Sequence, residues 1–218
     1  LDNSKLSSYD YIQIGKYIEI AGKTVKSGYS IKNDGTIVSG NAGAGSAYYV
    51  SEYAGNTLTL NGFNFTTGSS VRGIEAFSDV TIKVTGNSTV TTAGYHGIFA
   101  TGNVAFTGSN ALTVNSGSYG LKAIGNVTVT GVTLTLDSSS TAALSTDGDV
   151  TVNSGFLKAF GYHNGIYADK VDIKGGNLIA NSSFNGTDSN YCAIEADSFT
   201  CASDLYVAGS ASSGTTGM

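Results

Sequence analysis

A four-residue block recurs at a nearly constant interval along most of the chain, and this repeat constrains the fold more than any other feature. The block has a small residue, an apolar residue, a variable residue and another small residue. It occurs at residues 73–76, 97–100, 120–123, 143–146, 165–168 and 193–196. The block starts are 24, 23, 23, 22 and 28 residues apart by subtraction, and the long last interval indicates an insertion over residues 182–190. Such a period is typical of solenoids, in which each repeat packs only against its neighbours.

Two further stretches follow each block, and in both of them apolar and polar residues alternate. The first lies at residues 80–82, 104–106, 127–129, 150–152, 171–173 and 199–201, and the second at 112–114, 134–136, 157–159, 178–180 and 205–207. Alternation with a period of two is typical of strands with one buried face. Since the repeat lacks the spacing of hairpins, equivalent residues of successive repeats are expected to stack directly on one another.

These patterns predict an all-β protein: a single-stranded, right-handed parallel β-helix, or solenoid, of about nine coils spaced at about 4.8 Å, with three short strands per coil. The handedness follows the chirality rule for parallel crossover connections. Residues 1–30 are predicted as an irregular N-terminal cap with a first irregular coil, 31–209 as the β-helix and 210–218 as a C-terminal tail or linker stub. The chain has no proline, which fits because nearly every backbone N–H of a coil donates to a neighbouring coil.

Composition excludes several classes of function. The net charge of −5 gives no basic footprint for nucleic acid. No apolar run approaches the roughly 18 residues of a membrane helix, so membrane insertion is not expected. With two cysteines, the chain has neither a disulfide framework nor a four-thiolate zinc site. Cys192 and Cys201 are both predicted to point inward, and a disulfide or two buried thiols are equally open interpretations.

One column of residues is predicted to line the outside of the rod, the name used here for the stack of coils. If the apolar residues of each block point inward, the residue between them points outward. This column comprises Glu75, Phe99, Lys122, Ser145, Tyr167 and Glu195. The positions before the blocks add Tyr95, His96, Tyr119, His163 and Tyr191, with Tyr48, Tyr49 and Tyr162 in the same phase nearby. Aromatic side chains therefore concentrate along one flank.

Aromatic faces stack on sugar rings, and tyrosine adds a hydroxyl that can bond a sugar hydroxyl. The predicted ligand-binding residues are Tyr95, His96, Phe99, Tyr119, Lys122, His163, Tyr167, Tyr191 and Glu195. The alternative interpretation is that these rings only pack across neighbouring strands and stiffen the sheet.

A second column is acidic. It places Asp147, Asp169 and Asp197 on consecutive coils, with Asp149 close by. Ca²⁺ takes about six to eight oxygen ligands and would relieve the repulsion between stacked carboxylates. These four aspartates are therefore the candidate metal ligands, although no cofactor is required. In the alternative interpretation they are solvated turn residues whose charge Lys170 and Lys174 offset.

The Gly-Ile-x-Ala, Val-Thr-Val and Leu-x-Ala rhythm over residues 45–208 resembles the parallel β-helices of the pectin-lyase-like superfamily. More narrowly, it resembles the glycine-, asparagine-, serine- and threonine-rich cell-surface members of bacteria, some of which bind carbohydrate without catalysis. The resemblance implies a secreted or cell-surface location. The superfamily's hydrolases have clustered aspartates and a Gly-His-Gly motif, whereas Tyr95-His96-Gly97 and His163-Asn164-Gly165 match only part of that motif. Its lyases combine Ca²⁺-binding acids with an arginine or lysine base, and Arg72 lies about three coils from Asp147.

The expected function is therefore recognition of an extended polysaccharide or cell-surface glycan without cleavage, and no catalytic residue is predicted. One alternative is a structural stalk of a larger surface adhesin, with other domains of that protein as partners and no small ligand. A second alternative is a Ca²⁺-dependent polysaccharide lyase.

Overall fold

The computed structural model describes residues 17–52, 55–184 and 191–202, and the backbone of residues 207–211. Within these residues the chain is all β, and successive coils stack as a parallel β-helix, as the repeat predicts. No helix in this part of the chain is long and apolar enough to cross a membrane.

An N-terminal ribbon precedes the coils. Its strands are β1 (Tyr17–Ile20), β2 (Lys23–Lys26), β3 (Tyr29–Lys32), β4 (Ile37–Ser39) and β5 (Ser46–Glu52). The early coil strands are β6 (Gly55–Asn61), β7 (Asn64–Thr67), β8 (Ile74–Ala76), β9 (Val80–Gly86), β10 (Ser88–Thr92), β11 (Ile98–Ala100), β12 (Val104–Gly108) and β13 (Ala111–Ser116). The later ones are β14 (Leu121–Ala123), β15 (Val127–Thr130), β16 (Thr133–Ser138), β17 (Leu144–Thr146), β18 (Asp149–Val152), β19 (Phe156–Gly161), β20 (Ile166–Ile173), β21 (Asn177–Ser182), β22 (Ile194–Cys201) and β23 (Val207–Ala211).

The coil strands stack in three columns, which form three faces of the rod. The first face contains β8, β11, β14, β17 and the first halves of β20 and β22. The second face contains β6, β9, β12, β15, β18 and the second halves of β20 and β22. The third face contains β7, β10, β13, β16, β19, β21 and β23. Strand β20 runs across the corner between the first two faces, since it pairs with both β17 and β18.

Apolar side chains of equivalent positions form columns inside the rod. One column runs through Ile74, Ile98, Leu121, Leu144, Ile166 and Ile194 in direct register. The first five of these are fully buried. Six stacked residues correspond to five turns, so the predicted number of about nine coils is wrong.

The shortfall in coils arises from the N-terminal ribbon. Strand β5 pairs antiparallel with both β3 and β6, and parallel stacking starts only where β6 pairs with β9. Antiparallel pairing thus extends through β6 to Asn61, well past residue 30. Strand β1 pairs antiparallel with β8, opposite Ile74 and Ala76, and so covers the first edge of the first face. An uncovered strand edge would be open to pairing with another chain.

The glycine that opens most blocks lies where the first and third faces meet closely. A Cβ on Gly97 would lie 2.1 Å from Cγ1 of Val114, and one on Gly120 would lie 3.1 Å from Cβ of Leu136. One coil further on, the register puts Ala159 beside Leu136, and the block there opens with Ala143. The corner therefore accepts a methyl group on one face where the other face carries a small side chain.

Candidate functional site

The structure places the predicted outward column in a single line on the first face. Phe99 pairs in register with Glu75 on one side and with Lys122 on the other. Ser145, Tyr167 and Glu195 continue the line in the later coils. These pairings follow from the stacking of the coils and from the alternation of inward and outward side chains.

A groove of about 440 Å³, named the main groove because it contains most of the predicted ligand-binding residues, crosses this face. Its lining consists of Tyr119, Lys122, Thr141, Ala142, Ser145, Asp147, His163, Asn164, Tyr167 and Tyr191. The coil in the middle contributes the small residues Thr141, Ala142 and Ser145, which form the floor. The coils on either side contribute large side chains, which form the walls. The walls are two coils apart, which is about 9.6 Å at about 4.8 Å per coil.

Five of the predicted ligand-binding residues therefore come together around one groove. They are Tyr119, Lys122, His163, Tyr167 and Tyr191. Glu195 lies beside the groove, because its carboxylate accepts a 2.9 Å hydrogen bond from Nδ2 of the lining residue Asn164. Thr141, Ala142 and Asn164 were not predicted as site residues.

Tyr95 lines a different groove, of about 460 Å³, nearer the start of the rod. Arg72, Glu75 and Glu19 also line it. Glu19 and Glu75 are opposite each other in the antiparallel pairing of β1 with β8. Arg72 forms an ion pair with Glu75, and its guanidinium lies 4.1 Å from the ring centroid of Phe99.

An aromatic ridge separates the two grooves. The imidazole of His96 lies at its centre, with centroid distances of 4.7 Å to Tyr95, 6.0 Å to Phe99 and 5.2 Å to Tyr119. Burial lowers the pKa of His96 from its ordinary value, and the positive charges of Arg72 and Lys122 lower it further. His96 is therefore neutral at pH 7. Its Nδ1 atom is buried and has no hydrogen-bond partner among the residues that the structure describes.

The far wall of the main groove is an aromatic cluster. The ring of His163 stacks on that of Tyr191, with centroids 4.0 Å apart. Phe184 presents its edge to Tyr191 at 4.6 Å, and Tyr162 lies 5.0 Å from His163. Rings in mutual contact lose little further freedom when a ligand binds, so this wall is preorganised.

An ion pair lies on the opposite side of the same groove, which is the side of Tyr119. Nζ of Lys122 donates to Oδ1 of Asp147 at 2.6 Å and to Oγ of Ser145 at 3.3 Å. The side chain of Lys122 is 22% exposed and that of Asp147 is 52% exposed. The lysine therefore leans over the floor of the groove, which explains why Ser145 is only 4% exposed although it faces outward.

The predicted acidic column does not gather into a metal centre. Asp169 and Asp197 are exposed and Asp149 is half-buried, while Asp147 is paired with Lys122. Across the described residues, no three histidine, cysteine, aspartate or glutamate side chains lie close enough together to hold a metal ion. Lys170 and Lys174 pair with Asp172, at 3.6 and 3.9 Å, and not with the column.

Other expected surface residues take different positions. Tyr49 is only 2% exposed and belongs to the core, because β5 is an antiparallel strand whose alternation turns Tyr49 inward.

Both cysteines are free thiols. Cys192 is half-buried, and burial followed by the charge of Glu195 raises its pKa. Cys201 pairs with the buried Ile173 but is itself exposed, so its predicted burial is wrong.

A column of buried hydroxyls holds the corner that presents the aromatic side chains. Oγ1 of Thr92 donates to the carbonyl of Tyr95 at 2.7 Å, and Oγ of Ser116 donates to the carbonyl of Ser118 at 2.7 Å. Oγ of Ser182 donates to the carbonyl of His163. Buried polar groups are nearly always satisfied in this way. The signal in the sequence was a serine or threonine repeated at the end of the third-face strands.

No protein-family model matches this chain, and neither a curated protein nor a solved structure matches it.

Proposed function

We propose that this protein is an extracellular or cell-surface module that binds an extended polysaccharide or cell-surface glycan without cleaving it. In this respect it would be similar to the non-catalytic, carbohydrate-binding members of the pectin-lyase-like β-helices. The observation that carries the proposal is the main groove, in which a floor of small residues separates two walls of aromatic side chains.

The width of the groove suits a sugar ring. Apolar contact needs about 3.5–4.0 Å on each side of the ligand, so walls about 9.6 Å apart accommodate one flat ring between them. Tyr119 lies on one wall and Tyr167 on the other, and Tyr167 is 45% exposed. Because the floor is a single coil, a bound glycan would cross the rod instead of following its axis.

Polar groups in the groove suit the hydroxyls of a sugar. A lysine ammonium has three donors, and a carboxylate has about four acceptor positions. Lys122 and Asp147 use only some of these in their mutual contact. The tyrosine hydroxyls add further donors and acceptors.

The absence of cleavage in this proposal follows from the count of carboxylates. Among the described residues that line the main groove, Asp147 alone carries one, and it is paired with Lys122, while the carboxylate of Glu195 beside the groove is bonded to Asn164. Glycoside hydrolysis normally uses two carboxyl groups that flank the scissile bond.

The proposal is tested by glycan arrays and by calorimetric titration with the glycans that score on them. Tyr119→Ala combined with Tyr167→Ala is expected to weaken binding about tenfold or more, since each stacking ring contributes roughly a kcal/mol. Tyr29→Ala is the matched control, because Tyr29 is 40% exposed but lies on β3, away from the groove. A chain that binds no glycan, or a double variant that binds as well as the parent, contradicts the proposal and favours a structural stalk.

A further inference from the structure

The charge distribution of the first face points to one class of glycan. We propose that the main groove selects uncharged polysaccharides and discriminates against polyuronates, whose sugars carry carboxylates. This inference rests on the proposed function, because it names the chemistry of the ligand that the same groove would take.

Among the described residues that line the two grooves, the two cations are already paired with carboxylates of the protein. Lys122 lies 2.6 Å from the carboxylate of Asp147. Arg72 is paired with Glu75, and its guanidinium also lies against the ring of Phe99. A uronate would have to displace one of these carboxylates to gain a charge partner of its own. The net gain in binding free energy would then be only the difference between the ion pair that the uronate forms and the ion pair that it breaks.

Carboxylates outnumber cations around the main groove. Asp169 follows Asp147 in the next coil, since its backbone N–H donates to the carbonyl of Gly148 at 3.0 Å. Asp197 follows Asp169, because β20 and β22 are in register on both sides of this position. Both aspartates are exposed, and within the described residues neither forms an ion pair. Glu195 adds a further negative charge beside the groove.

This excess of negative charge repels a polyuronate, which carries one charge on every sugar. Like charges placed opposite each other across an interface suppress binding of the wrong partner. An uncharged sugar escapes this repulsion and retains the contacts that the groove does offer. Those contacts are the faces of Tyr119 and Tyr167 and the hydrogen-bonding capacity of Lys122 and Asp147.

The test uses matched pairs of polysaccharides that differ only in oxidation at C6. The pairs are a glucan with a glucuronan, a galactan with a galacturonan and a mannan with a mannuronan, each titrated against the full chain by calorimetry. We expect the uncharged member of at least one pair to bind about tenfold or more tightly than its uronate at low salt. We also expect salt to change its affinity little, since screening acts on charged ligands. Equal binding of the two members, or preference for the uronate, overturns the inference but leaves the proposed function standing. Binding of none of the six overturns the inference, and the proposed function falls with it if the glycan arrays are blank as well.

A charge variant examines the cause of the selectivity. Asp147→Asn releases Lys122 from its partner and removes one negative charge from the groove, so it is expected to raise affinity for the uronates by about tenfold. Asp137→Asn is the matched control, because Asp137 is an exposed aspartate on the third face. It removes the same charge from the chain and is expected to leave the preference unchanged. If both variants change uronate binding equally, total charge and not the groove determines the selectivity, and the inference is wrong.

Discussion

The imidazole ring of His163 stacks on the phenol ring of Tyr191, with ring planes 7° apart and centroids 4.0 Å apart. The two residues occupy equivalent positions before consecutive blocks, so the stack joins two coils directly beside the main groove. Strand spacing in a sheet is about 4.8 Å, so the rings lean toward each other relative to their backbones. The same contact therefore holds two of the last described coils together and forms part of the groove wall.

The stacking energy can be measured with a double-mutant cycle of His163→Ala and Tyr191→Ala. Aromatic pairs contribute about 0.5–1.5 kcal/mol beyond the area they bury, so a coupling energy in that range is expected from urea denaturation. Tyr191→Phe keeps the ring and is expected to retain most of the coupling. Additive single effects, with a coupling near zero, would mean that the stack contributes nothing to stability.

The corner glycine predicts a compensating pair of substitutions. Gly97→Ala places a methyl group against Val114, and overpacking of this kind costs about 1–3 kcal/mol. Adding Val114→Ala is expected to recover part of that loss, as Ala143 and Ala159 already coexist at the equivalent corner two coils further on. Recovery is incomplete because the carbonyl of Gly120 also lies 2.7 Å from the new Cβ. Chemical denaturation of the parent, the two single variants and the double variant measures it. A double variant that is less stable than either single variant would contradict this account.

The sequence predicts the fold of the repeats well but not that of the N-terminal ribbon. The interval of 22 to 24 residues between most blocks was enough to stack Ile74, Ile98 and Leu121 correctly, because each alignment agrees with the alternation on either side. The ribbon carries the same alternation, which is identical for parallel and antiparallel neighbours. The alternation alone therefore places Tyr48 and Tyr49 in coils that the chain does not form. Only the pairing of β5 with β3 and β6 decides their orientation.

The candidate site was predictable as a column but not as a groove. Parity placed Lys122, Ser145 and Tyr167 on one line. The groove arises because Thr141, Ala142 and Ser145 are small where the neighbouring coils carry large side chains. This difference in size is present in the sequence, but the alternation of inward and outward residues says nothing about side-chain size. The pairing of Lys122 with Asp147 could not be foreseen, since it joins residues two positions apart in phase through a flexible lysine.

Asparagine side chains connect successive coils at the corner between the first and second faces. Oδ1 of Asn103 accepts the backbone N–H of Asn126 at 2.8 Å, and Oδ1 of Asn126 accepts that of Asp149 at 2.8 Å. Asn126→Ala removes one of these acceptors and is expected to cost about 1 kcal/mol, since water reaches the corner and replaces part of the bond.

Asn126→Asp keeps an acceptor at the same place and serves as the matched control in denaturation at neutral pH. It is expected to retain most of the stability that alanine loses. Equal losses in the two variants would show that the side-chain oxygen of Asn126 is not what stabilises the corner.

His96 makes stability depend on pH in a defined direction. Its pKa in the folded protein lies below the ordinary value of 6.5, chiefly through burial and then through the charges of Arg72 and Lys122. In the unfolded chain the imidazole takes up a proton near pH 6.5, whereas the folded protein resists it. The stability linked to neutral His96 is therefore complete above pH 6.5 and is lost as the pH falls from there through the lower pKa of the folded state.

The melting temperature of the parent and of His96→Asn, followed from about pH 7.5 to about pH 5, measures this effect. The parent is expected to lose more stability than the variant over this range, because the variant has no imidazole to protonate at the ridge. Carboxylates that titrate at the acid end are common to both proteins, so the difference between the two curves isolates His96. Parallel curves would mean that protonated His96 finds a partner in the folded ridge, and would contradict the burial and the repulsion by Arg72 and Lys122 that lower its pKa.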